Sequence, residues 1–128
     1  MRGKLLDTNA IIALQRRDRG FIQLFGAETE VFLPVIAVGE LYYGAANSER
    51  VEKNTQAIER LLSEVAVLGC DEVTARFFGS IRHRLRLKGR PIPENDIWIA
   101  AIALQYDLVV VTRDAHFREV EGLSVESW

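Results

Sequence analysis

Four carboxylic acids of this 128-residue chain stand within, or shortly after, stretches that otherwise carry no charge: Asp7, Glu40, Asp96 and Asp114. The first is the only charged residue of positions 5–15, the second of positions 31–48 and the third of positions 95–106. The fourth follows the apolar run 108–111 after two residues. Burying a carboxylate costs several kcal/mol unless it is paired or bound to a metal ion. One such residue is common in proteins, but four together indicate a site.

An all-oxygen set of ligands favours a hard divalent cation. Carboxylates that meet at one place repel one another, and Mg²⁺ or Mn²⁺ is the natural counter-ion because the chain has two histidines and one cysteine. A cation held in this way can activate water and stabilise the transition state of phosphoryl transfer. We therefore predict a hydrolytic metal site formed by the four acids together.

Taken singly, each acid also has a structural interpretation. Asp7 suits a turn between a strand and a helix, Asp96 complements the dipole of a helix that begins beside it, and Asp114 suits a solvated loop. Glu40 has the weakest structural explanation, because neither capping nor the helix dipole applies to the middle of a helix. The hypothesis of a site therefore rests on the four acids together.

Polar residues beside the acids are candidates for positioning them or the substrate, although capping and turn roles suit them equally: Thr8, Asn9, Asn95 and Thr112. The two histidines receive weaker assignments. His83 lies in a basic segment and is predicted to be exposed surface. His116 follows Asp114 and is predicted to serve a turn near the rim of the site rather than the site itself.

The distribution of charge is more informative than its sum. With 16 basic and 18 acidic residues the net charge is −2, which alone argues against a nucleic-acid partner. Between Val73 and Pro93, however, six basic residues occur without an acid. Five of them are candidates for contact with an RNA backbone if they flank the acids, the alternative being a solvated helix face: Arg82, Arg84, Arg86, Lys88 and Arg90.

Length and composition restrict the class of protein. We expect one domain, residues 1–128, because two separate cores would each be too small. A hydrophobic fraction of 48% and a charged fraction of 27% are typical of globular proteins and exclude a disordered chain. The single Cys70 rules out an internal disulfide. No apolar run reaches the roughly 20 residues of a membrane helix, so we expect a cytoplasmic protein without a membrane partner.

Strands alternate with helices along the chain. Apolar and β-branched runs predict four strands, at residues 4–6, 30–33, 65–68 and 108–111. Helical periodicity predicts six helices, at residues 9–15, 21–25, 34–46, 49–65, 72–88 and 94–106. Thr8 is expected to cap the first helix and Gly26 to end the second. The last strand shows no polar alternation, which is typical of a sheet buried on both faces.

These elements predict an α/β sandwich with a mainly parallel central sheet, although the order of the strands is left open. Asp7 and Asp114 both follow predicted strands, and such folds bind their ligands outside the carboxyl ends of parallel strands. Asp96 lies in the first turn of its helix near the same edge. Glu40 has a side chain long enough to reach the edge from the middle of its helix.

The segments around the acids resemble a known family. The segments that carry the resemblance are LLDTNAIIAL at 5–14, PVIAVGELYYG with its isolated glutamate at 34–44, ENDIWIAAIAL at 94–104 and VVVTRDAHF at 109–117. In order and spacing they are similar to the PIN-domain ribonucleases, and among these to the VapC-type toxins of type II toxin–antitoxin pairs, FitB-like members included. The resemblance extends from Leu5 to about Val125.

The resemblance implies a PIN-like α/β/α sandwich and places the family's acidic metal site on Asp7, Glu40, Asp96 and Asp114. Thr112 matches a hydroxyl residue that the family often keeps before its last acid. Within this site we expect Asp7, Glu40 and Asp96 to hold the principal cation. Asp114 is expected to complete the site, to help bind a second cation or to orient the water. The resemblance further implies Mg²⁺- or Mn²⁺-dependent endonucleolytic cleavage of RNA, with water attacking in line to leave 5′-phosphate and 3′-hydroxyl ends. The implied partners are the RNA substrate, a second copy of the chain in a homodimer and an antitoxin, through which alone operator DNA would be bound.

Other functions stay open from the residues alone. A non-catalytic phosphate- or nucleic-acid-binding regulatory module would share the fold and have an acidic pocket without a metal ion. A phosphotransfer enzyme would use Asp7 as its nucleophile, but the haloacid-dehalogenase type needs an aspartate two residues later, where this chain has Asn9. A DNase is also compatible, because no residue identifies a reader of the 2′-hydroxyl. The target RNA and the number of metal ions are not specified by the sequence.

Overall fold

Short strands and longer helices alternate in the computed structural model, which describes residues 2–25 and 29–128. The strands are β1 (Lys4–Leu6), β2 (Val31–Pro34), β3 (Ala66–Leu68), β4 (Val109–Val111) and β5 (Val125–Glu126). The helices are α1 (Thr8–Gln15), α2 (Arg19–Ile22), α3 (Val35–Ala46), α4 (Val51–Glu64), α5 (Glu72–Leu87) and α6 (Glu94–Tyr106). A 3₁₀ turn, Ala115–Glu119, lies between β4 and β5.

The five strands form one sheet in the order β3-β2-β1-β4-β5, and every pairing in it is parallel. From the central strand β1, strands β2 and β3 extend the sheet in one direction, while β4 and β5 extend it in the other. The winding therefore reverses between β1 and β4. In open parallel sheets such a reversal opens a crevice outside the carboxyl ends of the strands, which is where ligands bind.

The central strand β1 is buried along its whole length. All three residues of β1 are buried, including Lys4, whose Nζ donates to the carbonyl of Leu24 at 2.8 Å and lies 2.7 Å from Oε2 of Glu126. A strand whose residues are buried on both faces must be covered by helices on both sides. Helix α6 is also buried around most of its circumference from Ile97 to Ala103, which accounts for its lack of amphipathic periodicity.

The predicted α/β sandwich with a parallel sheet is confirmed, and most element bounds agree within two residues. The prediction that Thr8 caps α1 is wrong: the carboxylate of Asp7 accepts the hydrogen bond from the Ala10 amide. The second helix begins earlier than predicted, because Asp18 caps it by accepting from the Phe21 amide at 3.0 Å. The helix also ends earlier than predicted, at Ile22, so the prediction that it runs up to Gly26 is wrong; Gly26 itself lies outside the described residues.

The 3₁₀ turn and β5 were not predicted. Strand β5 has only two residues, too few for a hydrophobic pattern, and it is recognisable as a strand only through its parallel pairing with β4. No helix of the described residues combines the length and the apolar character that crossing a bilayer would require.

Candidate active site

The ends of the two central strands bring Asp7 and Asp114 to the crevice. Asp7 directly follows β1, and its backbone N–H donates to the carbonyl of Val111, the last residue of β4, at 3.3 Å. Asp114 lies three residues beyond β4. The loop that leads from β4 to Asp114 is anchored by Arg113, whose Nε donates to the carbonyl of Trp128 at 2.8 Å. Two acids from distant parts of the chain therefore share the switch point of the sheet.

Asp7 is almost fully buried, with 5% of its surface exposed. Its Oδ1 accepts from the Ala10 amide at 2.9 Å, which begins α1, and its Oδ2 accepts from the Thr112 hydroxyl at 2.5 Å. A carboxylate offers about four acceptor positions. Both oxygens of Asp7 therefore fix the side chain while keeping capacity for a further partner.

Thr112 joins two acids of the site. Its hydroxyl donates to Asp7 and accepts from the backbone N–H of Asp114 at 2.8 Å, and its side chain is buried. The first residue of α1 plays a similar part for Glu40, because the hydroxyl of Thr8 donates to its Oε1 at 3.0 Å. Glu40 lies in the middle of α3 and is exposed, so it approaches the site from the solvent side.

The remaining acids meet at a histidine. Asp96 lies in the first turn of α6, and its Oδ2 is 3.2 Å from Nδ1 of His116, which is also 2.9 Å from Oδ1 of Asp114. Metal-binding atoms of these three residues all lie within 4.8 Å of one another. The structure therefore brings all four predicted acids to one edge of the sheet. Thr112 connects Asp7 with Asp114, and His116 connects Asp114 with Asp96. Glu40 is close enough for its charge to raise the pKa of Asp7.

His116 lies closer to the acids than the predicted turn at the rim of the site would require. It does take part in a turn, since its backbone N–H donates to Oδ1 of Asp114 at 2.9 Å, but the same turn carries its ring back between the two acids. One feature of the sequence could have indicated this role: His116 follows Asp114, the acid at the start of the turn, by two residues. Of the other polar candidates, Asn9 and Asn95 are exposed beside the site, and their roles stay predictions.

The electrostatics of the site are those of crowded carboxylates. Burial raises the pKa of Asp7 above its ordinary value of 3.8, the hydrogen bonds from Thr112 and Ala10 lower it, and the charges of Asp114 and Glu40 raise it again, with a net increase. Burial likewise raises the pKa of Asp96, against the lowering effect of the hydrogen bond with His116. Both shifts mean that ionised carboxylates are held here at a cost, which a bound cation would offset.

The donor set fits a divalent cation. The four side chains provide carboxylate oxygens, the ligands preferred by Mg²⁺ and Mn²⁺, and His116 adds one imidazole nitrogen. Three of the donor residues already have binding atoms within the span of one coordination sphere. The hydroxyls of Thr8 and Thr112 hold two of the carboxylates from behind, as the outer partners of metal ligands commonly do.

The predicted basic residues divide between two faces of α5. Arg82 and Arg86 line a cavity of about 630 Å³ whose wall includes Ile97, the neighbour of Asp96 in the chain. Arg84 and Lys88 line a second cavity and pair with acids there, Arg84 with Glu121 at 3.8 Å and Lys88 with Glu119 at 3.5 Å. Arg90 is exposed in the loop before α6. The first cavity reaches a chain neighbour of Asp96, whereas no residue that lines the second is adjacent in the chain to any of the four acids.

Residues 4–123 match the PIN domain. The chain belongs to the PIN-domain family. Ribonuclease VapC2 from Haemophilus influenzae is 37% identical over 127 residues, covering 97% of this chain and 96% of that protein. The tRNA(fMet)-specific endonuclease VapC of Shigella flexneri is 32% identical over 127 residues, with the same coverage.

Solved structures agree with this assignment. DNA-bound VapBC from Salmonella typhimurium superimposes with a TM-score of 0.90 at 33% identity, covering 100% of this PIN domain and 99% of that chain. FitAcB from Neisseria gonorrhoeae gives a TM-score of 0.79 at 30% identity, with 95% of each chain covered. The resemblance drawn from the sequence is therefore confirmed: the chain belongs to the PIN-domain family and is similar along its length to VapC ribonucleases and to FitAcB.

Proposed function

We propose that this PIN domain is the toxin of a toxin–antitoxin pair and cleaves RNA phosphodiesters internally in a reaction that depends on Mg²⁺ or Mn²⁺. The observation that carries the proposal is the convergence of Asp7, Glu40, Asp96 and Asp114 at the switch point of the parallel sheet. Membership of the VapC-type ribonucleases supports the reaction class. We also propose that residues 1–128 act as one PIN domain.

In this proposal Asp7, Glu40 and Asp96 hold the cation and Asp114 completes the set. The cation would supply Lewis-acid stabilisation of the negative charge on the phosphoryl oxygens and would lower the pKa of water. The protein supplies position: Thr112 fixes Asp7, and the turn that begins at Asp114 fixes His116. Burial of Asp7 excludes bulk water from one side of the site and strengthens its electrostatic interactions.

The cavity between α5 and α6 is the proposed path of the RNA strand. Arg82 and Arg86 are one helical turn apart on the wall of this cavity, so both guanidinium groups can bind successive phosphates. Arg82 lies 3.5 Å from Glu94, with both side chains about two-thirds exposed, a pairing too weak to prevent exchange for a phosphate. Arg86 is therefore the stronger contact of the two.

Partners follow from the relatives. The structural neighbours from Salmonella typhimurium and Haemophilus influenzae are VapBC complexes, the first of them bound to DNA. We propose a cognate antitoxin for this chain, with operator DNA bound through the antitoxin, and a homodimer as the resemblance implies. The relative named as a tRNA(fMet)-specific endonuclease makes tRNA the first substrate to test.

The test is cleavage of labelled tRNA and total RNA by purified, antitoxin-free protein in Mg²⁺, in Mn²⁺ and in EDTA. Discrete products with 5′-phosphate and 3′-hydroxyl ends, lost in EDTA and in Asp7→Asn, are expected. The same products from Asp7→Asn, or in EDTA, would contradict the proposed metal site. Tight RNA binding without cleavage, and without any cation bound, would instead support the non-catalytic binding module.

A further inference from the structure

The imidazole of His116 lies between two carboxylates that come from different elements. Its Nδ1 is 2.9 Å from Oδ1 of Asp114, at the start of the 3₁₀ turn, and 3.2 Å from Oδ2 of Asp96, in α6. The side chain of His116 is 48% exposed, whereas that of Asp96 is 17% exposed. The ring is therefore not part of the core, and it is held at the opening of the site by the two acids.

These separations suit ligands of one ion. In a six-coordinate site with bonds of about 2.1 Å, adjacent ligand atoms lie roughly 3 Å apart, because the edge of an octahedron is √2 times the bond length. The two distances from Nδ1 lie on either side of this value. A hydrogen bond from a protonated Nδ1 to either carboxylate would have a similar length. Coordination and hydrogen bonding must therefore be separated by experiment.

The chemical nature of the donor atom determines which cation is bound more tightly. Mg²⁺ is a hard ion that prefers oxygen and retains its water, whereas first-row transition ions also accept imidazole nitrogen. Mn²⁺ belongs to that series and still accepts carboxylates readily. Adding one imidazole to a carboxylate site therefore shifts its preference from Mg²⁺ towards Mn²⁺.

We propose that Nδ1 of His116 is a ligand of the cation site beside Asp96 and Asp114, and that it makes the site prefer Mn²⁺ to Mg²⁺. This inference rests on the proposed metal dependence and adds to it a nitrogen ligand and an order of preference among cations. His116 is a residue of this chain that sets which ion is held, in addition to the four acids that hold it.

Two variants separate a ligand from a hydrogen-bonding partner. In His116→Asn the side-chain amide can still donate a hydrogen bond to the carboxylates, and its oxygen can still bind a cation, but the variant offers no imidazole nitrogen. His83→Asn is the matched control, since the chain has two histidines and His83 is exposed on α5. The metal-free thermal stability of each variant shows whether the substitution disturbs the fold.

The measurement uses metal-free protein and the metal ions alone. Pulsed electron paramagnetic resonance of bound Mn²⁺ detects the ¹⁴N coupling of a coordinated imidazole, and calorimetry gives the Kd of Mn²⁺ and of Mg²⁺. We expect the coupling in the wild type and in His83→Asn but not in His116→Asn. We expect the Kd of Mn²⁺ to rise roughly tenfold in His116→Asn, and that of Mg²⁺ to rise less.

Several outcomes would overturn the inference. A wild-type protein that binds Mn²⁺ without imidazole coupling, or a His116→Asn variant that keeps the same preference for Mn²⁺, would make His116 a hydrogen-bonding partner only. Either result leaves the proposed metal-dependent cleavage intact. A wild-type protein that binds neither cation would overturn this inference together with the proposed function.

Discussion

Thr112 and Asp7 are 105 residues apart in the chain, yet the hydroxyl of one donates a 2.5 Å hydrogen bond to the carboxylate of the other. Parallel pairing of β1 with β4 makes the contact possible, because it aligns Leu6 with Val111, the residues that precede them. The same hydroxyl accepts from the backbone of Asp114. One buried side chain therefore sets the spacing between two acids of the proposed metal site.

Thr112→Val removes this hydroxyl at nearly constant shape. Oδ2 of Asp7 and the N–H of Asp114 are each left without this partner, so we expect the free energy of unfolding to fall by about 1–3 kcal/mol. RNA cleavage should fall by roughly tenfold or more, because the outer partners of metal ligands commonly contribute this much. Urea denaturation and kcat/KM measure the two effects, and Thr112→Ser should restore both. Cleavage by Thr112→Val at the wild-type rate would show that the hydroxyl does not position Asp7.

Asp7→Asn should become more stable relative to the wild type as the pH rises, when both proteins are free of metal ions. Because the pKa of Asp7 is raised in the folded state, its contribution to stability is fully present below pH 3.8 and is lost as the pH rises through the folded value. Asparagine does not titrate and still accepts the capping hydrogen bond of α1, but its amide nitrogen cannot accept the Thr112 hydroxyl as Oδ2 does. The loss of that hydrogen bond is independent of pH, so the difference in free energy of unfolding, variant minus wild type, should increase from pH 4 to pH 7.

Urea denaturation in EDTA at several pH values measures this difference. A difference that stays constant over this pH range would contradict a raised pKa of Asp7. Saturating Mn²⁺ should favour the wild type, since an ion at 100 times its Kd stabilises the wild type by about 2.7 kcal/mol and the variant by less. Cleavage by Asp7→Asn should fall more than about 100-fold, which is a larger loss than substitution of a residue that only positions a metal ligand should cause.

The sequence revealed the acids because each is isolated among apolar residues, and isolation of this kind is visible along one dimension. Parallel β-strands were equally evident, since strands buried on both faces have no polar alternation. The order of the strands was not evident from the sequence, because it depends on which apolar faces pack against each other. Asp7 and Asp114 could be assigned to strand ends, but their position at the reversal between β1 and β4 required the structure.

The contacts of His116 and of the basic residues likewise could not be predicted from the sequence. A ring that contacts Asp96 across 20 residues cannot be placed from its neighbours in the chain, which indicate only a turn. The positive charge of α5 was visible, but the pairing of Arg84 with Glu121 depends on how the 3₁₀ turn packs against that helix. Tertiary contacts of exposed side chains are weakly encoded in local sequence, because their energies are small and vary with solvent exposure.

Glu40→Gln should separate activity from stability. Glu40 is exposed, and its one described side-chain hydrogen bond is accepted from Thr8, which a glutamine oxygen can also accept. We therefore expect the free energy of unfolding to change by no more than about 0.5 kcal/mol. Cleavage should nevertheless fall strongly, because the variant has one anionic ligand fewer. Full activity in Glu40→Gln at low Mg²⁺ would remove this residue from the metal site.

The RNA path is testable through the salt dependence of binding. For single-stranded RNA, removing one arginine that binds a phosphate should reduce the slope of log K against log salt by about 0.7. Arg86→Gln should show the full reduction, whereas Arg82→Gln should show less because Arg82 is partly neutralised by Glu94. Fluorescence anisotropy in EDTA measures binding without cleavage.

Arg76→Gln is the matched control for this series. Arg76 is an exposed arginine of the same helix, ten residues and therefore about 15 Å from Arg86 along its axis. Its substitution changes the net charge equally, so any general electrostatic effect should appear in both variants. A slope that falls for Arg86→Gln and not for Arg76→Gln places the strand between α5 and α6. Equal reductions for the two variants would mean that RNA is attracted by the overall field of the helix and that its path lies elsewhere.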